Sequence, residues 1–161
     1  SVTNSDELIC VCGGAWSGQF AVKVGLGQSV IPIRGQVLMY RLHEPPINRI
    51  VNEGHRYLVP REDGHLLIGS CEEEVGFQKG TTPEMLESLQ QWAESILPEL
   101  HGMKPAKSWS GLRPGTFDGF PMIGKVPEVS NLYVAAGHYR SGIHLAPATA
   151  VVLADMICDH K

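Results

Sequence analysis

Arg113 and Arg140 stand in glycine-rich segments, Ser110-Gly111-Leu112-Arg113-Pro114-Gly115-Thr116 and Gly137-His138-Tyr139-Arg140-Ser141-Gly142-Ile143. A residue before proline is driven toward extended backbone, and a Ser-Gly pair opening an apolar run reads as a helix start. Both guanidinium groups are therefore expected to project from loops beside a helix N-terminus. Backbone N–H groups, the helix dipole and planar arginine forks all favour an anion there, a carboxylate or a phosphate. Read singly, each arginine fits an ordinary surface ion pair; the glycines around both shift the reading toward binding.

Other chemistry is harder to find. Cys10 and Cys12 alternate on an apolar run and read as small buried residues, Cys71 ends a strand, and Cys158 closes the last helix. No second Cys or His cluster has ligand spacing, and His138 and His144 straddle a glycine, so no metal site is expected. The 161 residues carry a net charge of −4, and no basic stripe marks a nucleic-acid surface. There is no run of eighteen apolar residues, and residues 1–7 lack the basic and apolar regions of a signal peptide. The chain reads as soluble and cytoplasmic, with 43% hydrophobic residues, enough for one core or two small halves.

The elements that must position these residues follow from periodicity, and their order is mixed α/β (α+β). Leu8 to Cys12 reads as a fully buried strand with nothing before it to pack on, so an upstream part is expected. A short helix over 15–24 follows Gly13-Gly14, stopped by Gly25 and Gly27. Residues 29–43 form a long β segment, with Pro32 marking an edge or bend. Short strands at 49–51, 56–60 and 65–70, the last two joined by a hairpin turn at Arg61-Glu62-Asp63-Gly64, make an antiparallel meander. Thr81-Thr82-Pro83-Glu84 starts a helix with threonine caps and a capping-box glutamate, and Met85, Leu86, Leu89, Trp92, Ala93, Ile96 and Leu97 line its buried face. Strands are expected at 106–112 and 131–136, and a closing helix at 145–158 that tolerates Pro147 only in its first turn. Asp118 reads as a turn former between Thr116 and Gly119.

The ordered set Gly13-Gly14-Ala15-Trp16-Ser17, Pro32-Ile33-Arg34-Gly35-Gln36, Tyr57-Leu58-Val59-Pro60-Arg61, Gly111-Leu112-Arg113-Pro114-Gly115-Thr116 with Asp118-Gly119, and Gly137 to Ile143 resembles the FAD-dependent amino-acid and amine oxidases. Within them it is most similar to the glycine oxidases, and less to D-amino-acid or sarcosine oxidases. The resemblance covers nearly the whole chain. It also exposes an absence: these enzymes open with a G-x-G-x-x-G fingerprint that holds the FAD pyrophosphate, and no such hexapeptide occurs here. The chain thus resembles a C-terminal half. Residues 29–109, including a helix at 82–97, would belong to an antiparallel-rich substrate domain, and residues 1–28 and 110–161 to a Rossmann-like FAD domain.

The resemblance implies that a small amino acid or amine surrenders a hydride to flavin, giving an imine, while dioxygen reoxidises the flavin to yield hydrogen peroxide. Some relatives serve thiamine synthesis. By the same resemblance Arg113 grips the substrate carboxylate with a two-pronged salt bridge, Tyr57 supports that carboxylate through its hydroxyl, and Arg140 lies beside flavin and substrate. Lysine replaces such a fork poorly. The segment His138, Arg140, Ser141, Gly142, Ile143 and His144 would run along the flavin edge, where the closing helix offers its N-terminus to negative charge. Gly14, Trp16, Gly35 and Gly115 are further cofactor candidates; Arg34 reads equally as cofactor neighbour or structural ion pair. Noncovalent FAD is implied, since Leu112-Arg113-Pro114 stands where some sarcosine oxidases carry a flavin-linked cysteine. His55 shares the side of Tyr57 by the period of two, which makes it a pocket candidate or an exposed histidine. Glu72 departs from the apolar pocket residue expected there: pointing inward it favours a cationic or longer substrate side chain, pointing outward it has no role. Competing readings are a sarcosine, D-amino-acid or other amine oxidase, and a noncatalytic module that binds a partner or forms a homodimer through surfaces its missing half would cover.

Overall fold

The computed structural model describes residues 7–20, 22, 29–127 and 129–158. They form strands β1 (Ile9–Val11), β2 (Ile31–Arg41), β3 (Val51–Glu53), β4 (Arg56–Pro60), β5 (His65–Gly69), β6 (Lys107–Gly115), β7 (Met122–Lys125) and β8 (Leu132–Ala136), and helices α1 (Ser17–Phe20), α2 (Pro83–Ile96) and α3 (Gly142–Ile157). The chain divides into two compact units, residues 1–33 with 113–161, and residues 34–112. None of the described helices is long and apolar enough to cross a membrane.

The unit of residues 34–112 is built on the antiparallel meander, whose strands lie in the order β3-β4-β5-β2-β6. Alternation puts Leu38, Tyr40, Leu58, Leu66 and Ile68 on one side of the sheet, where they bury against Leu89, Trp92, Ala93 and Leu97 of α2 and the turn after it. The opposite side carries Val37, Tyr57 and Gly69, which the register places in one row: Val37 faces Gly69, and Gly69 faces Tyr57. Arg56 belongs to the α2 side, its Nη2 donating to the Ser88 hydroxyl at 3.0 Å and its guanidinium 5.8 Å from the Trp92 ring centre.

A buried polar network joins β2, the segment after β5 and the start of α2. The Glu73 carboxylate accepts from Arg34 Nε at 3.1 Å and Nη2 at 2.9 Å, from Gln36 Nε2 at 2.9 Å and from the Cys71 thiol at 3.0 Å. Arg34 and Glu73 also exchange both backbone hydrogen bonds, at 2.9 and 3.0 Å. Burial, and the hydrogen bond to Glu73, push the Cys71 thiol up to about 11, so it keeps the proton it donates. The threonine-capped helix start departs from expectation. The Thr82 side chain makes no cap hydrogen bond; its hydroxyl accepts from Gln36 Nε2 at 3.2 Å, and its N–H donates to Gln36 Oε1 at 2.8 Å. Gln36 serves the helix start from another strand, and no capping box forms.

The other unit holds a sheet of order β1-β8-β7, with β1 parallel and β7 antiparallel to β8. Val30, Val126, Val129, Leu132, Val134 and Ala136 form its core, and Ile9, Val11 and Met122 pack on it. β1 corrects the reading of a fully buried strand: Ile9 and Val11 face this core, while Cys10 and Cys12 on the other side are exposed. α3 is exposed along most of its length, with Leu153 its one buried residue among those described and Ile143 and Val151 at 90% and 62% exposure. It begins at Gly142, so Pro147 lies in the second turn and not the first, removing the i→i−4 bond to the Ile143 carbonyl. β7 was not foreseen, and β3 starts two residues after the expected Arg49. The end expected for the first helix, at Gly25 and Gly27, lies outside the described residues.

Arg34 holds the Glu73 carboxyl at about 2, against an ordinary 4.5, with the Cys71 and Gln36 bonds adding to its hold. A depressed carboxyl contributes stability that is complete above the unfolded value and lost as pH falls through the folded one. Chemical unfolding titrated from pH 6 to pH 2 is therefore expected to show a loss of stability below about 4.5 that is larger in the native chain than in Glu73→Gln. The variant itself is expected to lose about 3 kcal/mol at neutral pH, because it leaves the Arg34 guanidinium buried without a counter-charge. Equal pH profiles for the two chains would disprove the assignment.

Candidate active site

Arg113 and Arg140 lie in the same unit, with their surroundings set by β6, the turn after β8 and the start of α3. Arg113 does not project from a loop, as its glycines implied. β6 runs on through Pro114 to Gly115, so Arg113 is a strand residue. β6 closes one edge of its sheet, where a missing proline N–H is tolerated. Gly115 is needed for close approach: a Cβ there would lie 3.0 Å from Ile33 Cγ1 and 3.2 Å from the Ile31 carbonyl. Arg140 does sit in a turn, closed by a hydrogen bond from Ser141 N–H to the His138 carbonyl at 2.9 Å.

Tyr139, which the sequence offered only as part of a motif, brings the two arginines together. Its ring centre is 6.0 Å from Arg113 Cζ and 5.7 Å from Arg140 Cζ, within the range of cation–π attraction. Its N–H donates to the Pro114 carbonyl at 2.9 Å, tying the turn to β6. Gly137 ahead of it has φ 86°, and a Cβ there would collide with the Thr116 methyl group. Thr116 is itself held by a hydroxyl bond to the Phe120 carbonyl at 2.9 Å, and Asp118 shapes that turn by accepting the Phe120 N–H at 3.1 Å. His138 Nε2 meets the Thr149 hydroxyl at 2.9 Å, which anchors the turn to the second turn of α3.

These groups make a cationic, donor-rich end of a helix. The first turn of α3 has no acidic side chain, and its N-cap Ser141 makes no side-chain cap bond. Ile143 and His144 are exposed there and Gly142 is half-buried, so a flat group with an apolar ring system and electron-rich edge is matched in character by Ile143 and by the helix end. An isoalloxazine ring has that chemistry. The residues present therefore fit a flavin.

Tyr57, His55 and Glu72 belong to the other unit. Tyr57 is half-buried on the side of the sheet away from α2, and its ring lies across Gly69: a Cβ on residue 69 would fall 2.5 Å from Tyr57 Cζ and Oη. Glycine at 69 is thus what allows the tyrosine its orientation. His55 lies in the turn before β4 rather than in the strand, so the alternation argument does not reach it. It is nevertheless drawn to Glu72, with Nδ1 to Oε2 at 3.2 Å; His55 is 71% exposed and Glu72 27%. Arg34 is buried in its bidentate pair with Glu73, so its contacts are those of the structural ion pair, and Gly35 is buried beside it on β2. Gly14 opens a short helical turn with φ 56°, and Trp16 at the end of that turn is exposed.

Comparison with known proteins identifies the family. The family described as FAD dependent oxidoreductase matches residues 2–156. The glycine oxidase of Pseudomonas aeruginosa is 44% identical over 151 residues, 94% of this chain and 42% of that protein, and the glycine oxidase of Bacillus subtilis is 39% identical over 155 residues, 95% and 42%. The crystal structure of glycine oxidase from Geobacillus kaustophilus superposes with a TM-score of 0.87 at 34% identity, covering 96% of this chain and 42% of that one. The chain therefore spans less than half the length of these relatives. A mixed α/β fold and a family match along almost its whole length place this chain in the FAD-dependent oxidoreductase family.

Proposed function

We propose that this chain forms the substrate-facing and part of the flavin-facing portion of an FAD-dependent oxidase of small amino acids, similar to the glycine oxidases. The observation that carries the reading is the gathering of Arg113 and Arg140 against one aromatic ring at the N-terminal end of a helix free of acidic residues in its first turn. The oxidised bond is the substrate's Cα–N bond, and the products are an imine and hydrogen peroxide. Noncovalent FAD, when bound, supplies the electron acceptor for that oxidation and the route by which dioxygen takes up the electrons.

The residues have distinct tasks. Arg113 holds the substrate carboxylate through two parallel N–H···O bonds, which fixes the Cα hydrogen in one direction and lowers the entropy cost of reaction. Tyr57, oriented across Gly69, adds its hydroxyl to the carboxylate's support. Arg140, with Ser141, Gly142, Ile143, His144 and His138 of the turn and helix start, forms the edge that faces flavin; its positive charge favours the electron-rich reduced form. Gly14, Trp16, Gly35 and Gly115 are the remaining cofactor candidates, and Arg34 acts on them only through the scaffold it builds with Glu73. The exposed apolar side of α3 is assigned to contact with the part of the relatives' length that this chain does not span.

Glu72, paired with His55, places a carboxylate near the end of the strand that carries Gly69; turned toward the substrate it favours a longer or cationic side chain over glycine, and turned away it has no role. Sarcosine and D-amino acids are the alternative substrates within the same chemistry.

In the flavin-loaded enzyme, Arg113→Ala is expected to lower kcat/KM for glycine by about 100-fold, the loss of two charge-assisted hydrogen bonds, and Arg113→Lys to recover little of it. Peroxide release with glycine, sarcosine and D-alanine measures this; unchanged turnover in the alanine variant would remove the carboxylate assignment. Glu72→Met is expected to shift the ratio of kcat/KM for glycine over D-lysine by about tenfold toward glycine, and no movement of that ratio would show that Glu72 faces away from the substrate.

A further inference from the structure

We propose that Tyr139 is a positioning residue that holds the guanidinium groups of Arg113 and Arg140 in their working arrangement. The inference rests on the reading of Arg113 as the carboxylate-binding group. The turn His138–Ser141 closes with a hydrogen bond between its ends, and its second residue, Tyr139, has φ 51°. That conformation ordinarily selects glycine or asparagine, and among the described residues Tyr139 is the one non-glycine residue that adopts it. The turn's own geometry therefore argues against a bulky aromatic residue at this position. The ring's neighbours supply the reason for it.

Two like-charged groups serving one small substrate repel each other and, left to solvent, spread over many rotamers. An aromatic face attracts both without adding a charge that would compete with the substrate's anion. A carboxylate in its place would neutralise the site, and an aliphatic side chain would give neither guanidinium a preferred seat. The Tyr139 ring lies 6.0 Å from Arg113 Cζ and 5.7 Å from Arg140 Cζ, so one side chain can set both directions. The bond from its N–H to the Pro114 carbonyl, next to Arg113 in the chain, keeps the ring in register with β6. The left-handed backbone is thus the conformation that turns the ring toward both arginines, an outlier of the kind that accumulates where function over-determines local structure.

The test compares Tyr139→Phe, Tyr139→Leu and Tyr139→Gly in the flavin-loaded enzyme, with Arg113→Leu as a control. The phenylalanine variant keeps the ring face and is expected to hold KM for glycine and the dissociation constant of acetate, read by titration calorimetry, within about twofold of the native values. The leucine and glycine variants are expected to raise both by about tenfold while kcat changes less, and to leave KM for a carboxylate-free amine unchanged. The glycine variant relieves the backbone and is expected to melt no lower than the leucine variant, which separates loss of the ring from loss of fold. If leucine matches phenylalanine, or if carboxylate and carboxylate-free substrates suffer equally, Tyr139 is not a positioning residue. If Arg113→Leu abolishes acetate binding while Tyr139→Leu preserves it, the inference fails and the carboxylate reading stands. An Arg113→Leu enzyme that still binds acetate normally overturns both.

Discussion

The Glu73 carboxylate organises the unit that carries Tyr57. It receives Arg34 at both oxygens, Gln36 and the Cys71 thiol, and Gln36 in turn holds the first residues of α2. A carboxylate at 22% side-chain exposure beside an arginine at 8% is held by the two Arg34 N–H groups, the Gln36 amide and the Cys71 thiol that converge on it. That matching ties the chain leaving β5 to the middle of β2. Gly69, the last residue of β5, stays beneath the Tyr57 ring, and α2 stays over Leu38, Tyr40 and Ile68. The position of a candidate site tyrosine thus depends on an ion pair on the other side of its own sheet.

The other unit solves a different problem with different means. There the core is small and aliphatic, and the candidate site is assembled by close backbone approach: Gly137 against Thr116, Gly115 against Ile31 and Ile33. The glycines matter because a Cβ at either position meets backbone or a branched side chain at short range. What they make room for is a turn that carries Tyr139 and Arg140 next to β6 and Arg113. α3 completes this end by presenting an N-terminus without acidic side chains, while its apolar outer surface stays exposed over much of its length.

Much of this was legible in the residues. The stripe from Met85 to Leu97 and the hairpin turn at Asp63-Gly64 carry periodicities of 3.6 and 2 that act over a few residues, and they appear where expected. Arg113 and Arg140 were legible as a pair from the glycines around them. Glu73 was not, because nothing local distinguishes it from Glu72 and Glu74; only the register between β2 and the segment after β5 selects the middle carboxylate for Arg34. Thr82 carried a capping signature, yet Gln36, far away in sequence, took its hydroxyl. A side chain that offers a hydrogen bond locally will give it to a distant partner once packing brings one close.

What the sequence by itself determined is therefore the set of elements, the antiparallel meander, the helices and the glycine-flanked arginines, since each follows from neighbours within a turn or a strand pair. Only the tertiary structure decided which strand Arg113 belongs to, that Arg34 spends its charge on Glu73, and that Tyr139 stands against both site arginines. Those choices are contacts between residues far apart in the chain. Their energies depend on burial and orientation, which come into being only when the sheet and the turn have closed.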